Sequence, residues 1–458
     1  MTRNWLHELM DVLGENKVGI SDGDRFRHSK DESSHSPVEP EVVVFPEEKE
    51  DILLALKLAN TFDIPITPFG SGSGLDGQAI PIRKGISMNF ERMDRVISFE
   101  PEDLTVTVQP GITRLDLNKV INPHGLFFPI DPGANASIGG MVATNASGTT
   151  AVRYGSMKDQ VLNLEVILAD GKTIKTGSNA KKSSSGYHLN SLFTGSEGTL
   201  GIISEITLKL HGIPEHTIAA SCTFDSPKAC VEAAHSVLMS GVPVLRMELV
   251  DANSMKQVNE YGEYHFPVQH TLFFEFSGTH VSAKDDANIV GKLMEEWGCE
   301  NWKHASGSIE RATIWRARHE LAYAFRHIKG MAVSGSDVCV PISKLADLVE
   351  FARERIEASG LLGGIFGHVG DGNFHTIVVY DPENSMERKQ SEAINNELVL
   401  KALELKGTCT GEHGVGIGKM KYQEAEHGHA VDVMKSIKAL LDPHSRFNPG
   451  KIFAGKGD

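Results

Sequence analysis

Pro68-Phe-Gly-Ser-Gly-Ser-Gly-Leu-Asp-Gly77, followed at once by Gln78-Ala-Ile-Pro-Ile-Arg-Lys-Gly85, decides which fold this chain can adopt. Residues 72–77 match the Gly-x-Gly-x-x-Gly spelling of a dinucleotide-binding loop, and residues 64–69 read as the strand before it. A loop of that kind must open a helix whose N-terminus receives the pyrophosphate. Pro81 and the lack of a helical apolar stripe argue against such a helix, so the match is poor evidence for a nicotinamide site. Closely spaced glycines have another use: they permit positive φ and expose N–H groups, forming a nest for anionic oxygens with no helix behind it. A second segment, Asp131-Pro-Gly-Ala-Asn-Ala-Ser-Ile-Gly-Gly140, continues through Asn145-Ala-Ser-Gly148 and Arg153-Tyr-Gly155. Together the two segments suit a long dinucleotide lying against backbone; taken singly, each also reads as ordinary turn chemistry.

Outward from these loops, residues 3–13 and 47–61 read as helices, the second on the spacing of Ile52, Leu53, Ala55, Leu56 and Ala59. Residues 104–108 and 202–210 read as strands, 116–124 as a helix, and 164–168 with 173–176 as a hairpin around Asp170-Gly171. Pro214 marks an exit into a second region with helices at 227–239, 283–297 and 386–406 and strands at 244–250 and 271–276. The end of the chain reads as a helix over 428–441 and a short return strand over 448–453 that packs back on the first region. The expected domains are therefore 1–212, 213–410 and 411–458.

With 458 residues, 40% apolar content and 45 glycines, the chain suits a globular protein of two or three domains with many tight turns. A formal charge of -15 argues against a nonspecific nucleic-acid binder. Cys222, Cys230, Cys299, Cys339 and Cys409 show no close pair or zinc-knuckle spacing. The charged start lacks a secretory apolar run, and no stretch has the length to cross a bilayer. These features lead to the expectation of a cytoplasmic protein, with peripheral membrane attachment left open.

The chemistry concentrates in Gly364-Ile-Phe-Gly-His-Val-Gly-Asp-Gly-Asn-Phe-His375 and in Gly411-Glu-His-Gly414. A two-residue turn at Asp371-Gly372 would pair residues whose numbers sum to 743, setting His368 opposite His375. Facing Cβ atoms lie about 5 Å apart, so both imidazoles could reach one divalent ion. Glu412 is a candidate third ligand, leaving positions for substrate or water. Without a metal, the two histidines would line a polar cleft.

Several separated signatures in one order resemble the FAD-linked D-2-hydroxyacid dehydrogenases of the glycolate oxidase and D-lactate dehydrogenase type. They are Pro68 to Gly77, Asp131-Pro-Gly-Ala134, Ser137-Ile-Gly-Gly140, Gly195-Ser-Glu-Gly-Thr-Leu-Gly-Ile202, Gly367 to His375, Gly411-Glu-His-Gly-Val-Gly416 and Asn448-Pro-Gly450. The resemblance covers nearly the whole chain. It implies an α+β protein of the vanillyl-alcohol-oxidase-like fold: a two-part PCMH-type FAD-binding domain with an inserted α+β cap domain on an antiparallel sheet. It places Pro68, Gly70, Ser71, Gly72, Ser73, Gly74, Leu75, Gln78, Pro132, Gly133, Ser137, Gly139 and Gly140 along the FAD. Asn145, Gly148, Tyr154, Glu197, Gly198, Gly201, Ile202 and Asn448 line its adenine, ribose and flavin parts. Position 73 commonly carries Thr in the family, and Ser73 retains the hydroxyl; Asp76 departs from the common form without an assigned role.

The resemblance further implies a divalent cation, Zn, Mn or Fe, on His368, His375 and Glu412. His413 matches the base, Asn373 a polar substrate contact, and Arg318 the substrate-carboxylate arginine, with Arg316 the alternative if the local register differs. Related 2-hydroxyglutarate enzymes often carry a cation just before Asp337, where this chain has Gly335 and Ser336, which favours a short monocarboxylate. The implied reaction is oxidation of D-lactate or glycolate to the 2-oxoacid. The electron acceptor, whether quinone, cytochrome or electron-transfer flavoprotein, stays open, as does assembly as a homodimer or hetero-oligomer. A noncatalytic subunit of a hydroxyacid oxidase complex, a 2-hydroxyglutarate-type dehydrogenase, an ether-forming enzyme and an alcohol oxidase are the competing readings.

Overall fold

A computed structural model describes residues 5–453, which form two compact units. The first comprises 5–147, Gly155–Ile213 and 412–453; the second comprises Gly148–Tyr154 and Pro214–Gly411. Each of the two units is thus assembled from separated stretches of chain.

In the first unit the helix begins at Trp5 and ends at Leu13, residues 3 and 4 lying outside the described range. A four-stranded sheet follows the order Val18–Gly19, Val42–Val44, Ile86–Asn89, Ile66–Phe69, and its last three strands are parallel. The helix Lys49–Phe62 makes the crossover that parallel strands require. Its Ile52, Ala55, Leu56 and Ala59 recur at helical spacing and are buried, while Glu48 and Asp51 form a capping box at its start. After Phe69 the chain enters the glycine loop, and residues 78–85 contain no helix, as Pro81 requires. A five-stranded antiparallel sheet runs Val96–Glu100, Thr105–Val108, Ile202–Lys209, Val161–Ile167, Thr173–Lys175, and so contains the expected hairpin. Alternation along these strands buries Val106, Val108, Leu164, Val166, Ile206 and Leu208 in one core.

The returning segment supplies the helix Ala430–Leu441. The short strand expected over 448–453 does not form: Phe447 makes a single parallel bridge to Ile66, and the chain then turns. Asn448 takes φ 39°, which ends extended pairing after one residue.

The second unit is built on a seven-stranded antiparallel sheet in the order Glu300–Ala305, His216–Phe224, His270–Gly278, Val244–Val250, Gly363–Gly367, Asn373–Tyr380, Ala332–Cys339. Side chains alternate across it, so Val250, Phe273, Ile377 and Val379 share one face. That face packs on Met255 and Val258 of helix Ala252–Gly262 and on Trp315, Leu321 and Phe325 of helix Ser308–Arg326. By the same alternation Glu248 and His375 project from this face. The expected helices at 227–239, 283–297 and 386–406 are Pro227–Met239, His280–Glu296 and Ser385–Glu404.

Candidate active site

Within the first unit the glycine loop meets the start of helix Ile138–Thr144. The Ser137 N–H donates to Ser71 Oγ at 2.9 Å, and Ser137 Oγ accepts from Gly140 N–H at 3.4 Å. A Cβ added at Gly70 would fall 2.4 Å from Ser137 Oγ, so the two loops approach this closely because residue 70 has no side chain to meet that hydroxyl. Gly70, Ser71 and Ser137, with Gly111, Ile112 and Thr113, line part of a cavity of about 580 Å³. Gly198, at φ +67°, packs where a side chain would collide with the Pro68 ring.

A second knot ties the loop to the returning segment. Asn448 Nδ2 donates to the carbonyls of Gln78 and Glu197 at 3.0 and 2.8 Å, and Gln78 Nε2 donates to the His413 carbonyl at 2.7 Å. The Glu197 carboxylate accepts the Val415 and Gly416 N–H groups at 2.6 and 2.8 Å. Burial pushes the Glu197 carboxyl up to about 7, against the two N–H donors that favour its ionised form. Asn448 Oδ1 is buried with no hydrogen-bond partner among the described residues. An orphaned acceptor and a glycine cradle are what a bound polar cofactor would complete. Glu412 opens this returning segment, its Oε2 accepting from Ser147 Oγ at 2.7 Å.

Within the second unit the polar residues converge on the helix-covered face of the sheet. Glu248 is fully buried; its Oε1 lies 2.6 Å from His368 Nδ1 and its Oε2 accepts from Arg318 Nε at 2.8 Å. Burial would raise the Glu248 carboxyl, but the His368 and Arg318 charges outweigh it and hold the group below its ordinary value. Ligand atoms of His368 and His375 lie within 4.8 Å of each other, and their rings meet edge to face at 5.4 Å. Asp337 anchors the neighbouring loop, accepting from Thr410 Oγ1, Gly411 N–H and Asn373 Nδ2 at 2.7, 2.9 and 2.8 Å. Asn373 Oδ1 is buried without a partner among the described residues.

The hairpin register differs from the expected one. Phe366 faces His375, so pairs sum to 741, and residues 368–372 form a five-residue loop instead of a two-residue turn. Val369 and Asp371 close that loop on the carbonyls of Gly367 and His368. A shift of two preserves the face of every paired side chain, His375 included; His368 has left the ladder, and the loop brings its imidazole to His375.

Arg318 rather than Arg316 enters the cluster. Arg316 is exposed and lies over the Tyr264 ring, whereas Arg318 occupies the buried stripe of its helix with Leu321 and Phe325 and lies over Phe366 at 5.4 Å. Gly148 and Tyr154 belong to the second unit. Gly133 is open to solvent on its Cβ side, Leu75 is exposed, and Asn145 caps helix Ile138–Thr144 while accepting from Ser156 Oγ and Lys158 N–H. Sequence reading missed Glu248; the one available signal was an acid inside the otherwise apolar run Met247-Glu-Leu-Val250.

Residues 40–177 match the family model described as FAD binding domain, and 213–452 match FAD linked oxidases, C-terminal domain. The chain belongs to the FAD-linked oxidase family. It is 40% identical over 446 residues to a probable mitochondrial D-lactate dehydrogenase of Danio rerio, covering 96% of this chain and 90% of the relative. It is 41% identical to a mitochondrial D-lactate dehydrogenase [cytochrome] of Arabidopsis thaliana, covering 98% and 79%. Among solved structures, an alkyldihydroxyacetonephosphate synthase superposes with a TM-score of 0.78 at 19% identity, over 98% of this chain and 86% of that one, which establishes the shared fold. The architecture is therefore that of a PCMH-type FAD-binding unit with a separate sheet-rich cap unit.

The expected cytoplasmic location is overturned, since both of these relatives are mitochondrial by name. Unpaired cysteines fit any reducing compartment, and a start without a secretory apolar run bears on secretion alone. Among the described residues no helix is long and apolar enough to cross a membrane.

Proposed function

We propose that this enzyme oxidises a small D-2-hydroxyacid, D-lactate first and glycolate second, to the 2-oxoacid with FAD as its oxidant. The observation that carries the reading is the junction at Glu248, where one buried carboxylate holds a cationic anchor and a metal-type histidine together. The names of the Danio and Arabidopsis relatives support D-lactate.

FAD, when bound along Gly70–Ser71, Ser137 and Asn448, supplies the two-electron acceptor. With its Nε engaged by Glu248, Arg318 keeps its two Nη groups for the substrate carboxylate, a bidentate match that fixes which face of the reacting carbon is presented. His368, His375 and Glu412 would hold a divalent cation, which supplies Lewis acidity at the substrate hydroxyl. The donor set fits: two close buried imidazoles, one oriented through its second nitrogen by a carboxylate, as metal-ligating histidines are. Glu412 follows Gly411, which Asp337 anchors. His413 takes the hydroxyl proton on its imidazole. Asn373, held through its amide nitrogen, offers Oδ1 as an acceptor to the substrate. Gly335 and Ser336 add no cation for a distal carboxylate, and Ser336 Oγ is already engaged with Thr376 Oγ1.

Anaerobic stopped-flow mixing with D-lactate, glycolate, L-lactate and D-2-hydroxyglutarate tests the reading through the flavin absorbance. Rapid bleaching by D-lactate is expected, slower bleaching by glycolate, and little by the other two. If no small 2-hydroxyacid reduces the flavin, the proposal is wrong. For reoxidation, the cytochrome in the Arabidopsis relative's name makes a cytochrome the first acceptor to assay, with quinone and electron-transfer flavoprotein as further arms.

A further inference from the structure

We propose that Glu248 is a positioning residue shared by the substrate-carboxylate arginine and the cation ligand, one rigid fork setting both groups. The inference rests on the reading of Arg318 and His368 given above and deepens it by giving Glu248 a role of its own. Glu248 lies on strand Val244–Val250 at the face shared by His375, with its side chain fully buried and no freedom to serve the two partners alternately. Each carboxylate oxygen has its own partner: Oε1 for His368 Nδ1 and Oε2 for Arg318 Nε. A carboxylate at Nδ1 makes that nitrogen the protonated one, which leaves the Nε2 lone pair as the ligand atom. Binding Nε fixes the plane of the guanidinium, and Phe366 supports that plane from below.

The adjacent acid cannot substitute. Glu275 is engaged by Arg246 at 3.1 Å and Arg311 at 3.4 Å. Thus one sheet face carries two carboxylates with separate duties. Glu248, facing Phe273 across the ladder, is the one that reaches the histidine.

The test uses the full-length, FAD-loaded protein and the variants Glu248→Gln and Glu248→Asp, each checked for flavin content. Binding of Mn2+ alone is followed by electron paramagnetic resonance of the free ion. Glu248→Gln should weaken Mn2+ by roughly 10- to 100-fold, and raise KM for D-lactate roughly tenfold. At saturating Mn2+, kcat should recover to within about threefold while KM stays high, a split that general loosening would not produce. In an Arg318→Met background, Glu248→Gln should no longer change KM yet should still weaken Mn2+. In a His368→Ala background the reverse should hold. Glu248→Asp keeps the charge on a shorter arm and should give intermediate values; it replaces the Gln variant in every arm should that one not fold. Unchanged Mn2+ affinity and unchanged KM overturn the proposal, as does a KM effect that persists without Arg318. Failure of the wild type itself to bind Mn2+ or to be reduced by D-lactate would overturn the underlying reading, and the inference with it.

Discussion

Glu197 in the first unit and Glu248 in the second are both buried glutamates at a junction, and they are displaced in opposite directions. Burial raises Glu197 to about 7, because its partners are the neutral N–H groups of Val415 and Gly416. Glu248 is buried more completely, yet it stays below its ordinary value because Arg318 and His368 face it. Desolvation acts on both; the charge of the partner decides the outcome. The first junction therefore fixes the backbone of the returning segment on a buried carboxyl, while the second holds a negative charge between the Arg318 and His368 side chains.

The strongest way to break this contrast is to remove the carboxylate of Glu248. Glu248→Ala leaves the largely buried Arg318 and the buried His368 without their anion, and should cost about 3–5 kcal/mol of stability. Scanning calorimetry of the flavin-loaded protein measures this. A melting profile identical to wild type would show that the charges have other partners and that the contrast is false.

Glu197 gives a smaller effect with a distinct signature in pH. Its folded-state value lies above the ordinary one of 4.5, so the folded state binds the proton more tightly than the unfolded state. That stability is fully present below pH 4.5 and is lost as pH rises through about 7. The loss is on the order of 3 kcal/mol across this window. Glu197→Gln carries no titrating proton, so it should flatten this part of the wild-type fall in melting temperature between pH 5 and 7.5. Parallel curves for the two proteins would contradict the assignment.

How far the sequence could be read follows the same division. Local chemistry was legible: Pro81 argued against the helix that a nicotinamide loop needs, and the stretches over 104–108 and 244–250 read as strands where strands are found. The meeting of His368 and His375 was also legible, although the turn was not. The loop closes on the carbonyls of Gly367 and His368, a preference that Asp371-Gly372 does not disclose; the even register shift kept His375 on its face, and the loop brought His368 to it. Glu248 was not legible, because its partners lie 70 and 120 positions away in the chain. A carboxylate inside a strand announces that it must be paired, but not with what. Arg318 was separable from Arg316 only once the helix had a buried face.

The mildest test stays with the neutral contacts of the first unit. A Cβ at Gly70 would lie 2.4 Å from Ser137 Oγ but 3.7 Å from Ser137 Cβ and from Gly140 Cα, so the obstruction is the hydroxyl and not the backbone. Gly70→Ala should therefore weaken FAD retention, read as released flavin fluorescence on dilution. Ser137→Ala should cost about 1 kcal/mol through loss of the helix cap. Because the second change removes the atom that the first collides with, the two should not add. Gly70→Ala should do less harm in the Ser137→Ala background, with a coupling on the order of 0.5–3 kcal/mol. Additive losses would mean that the loops part elsewhere to admit the methyl group, and that the close approach of Gly70 to Ser137 does not shape the cradle.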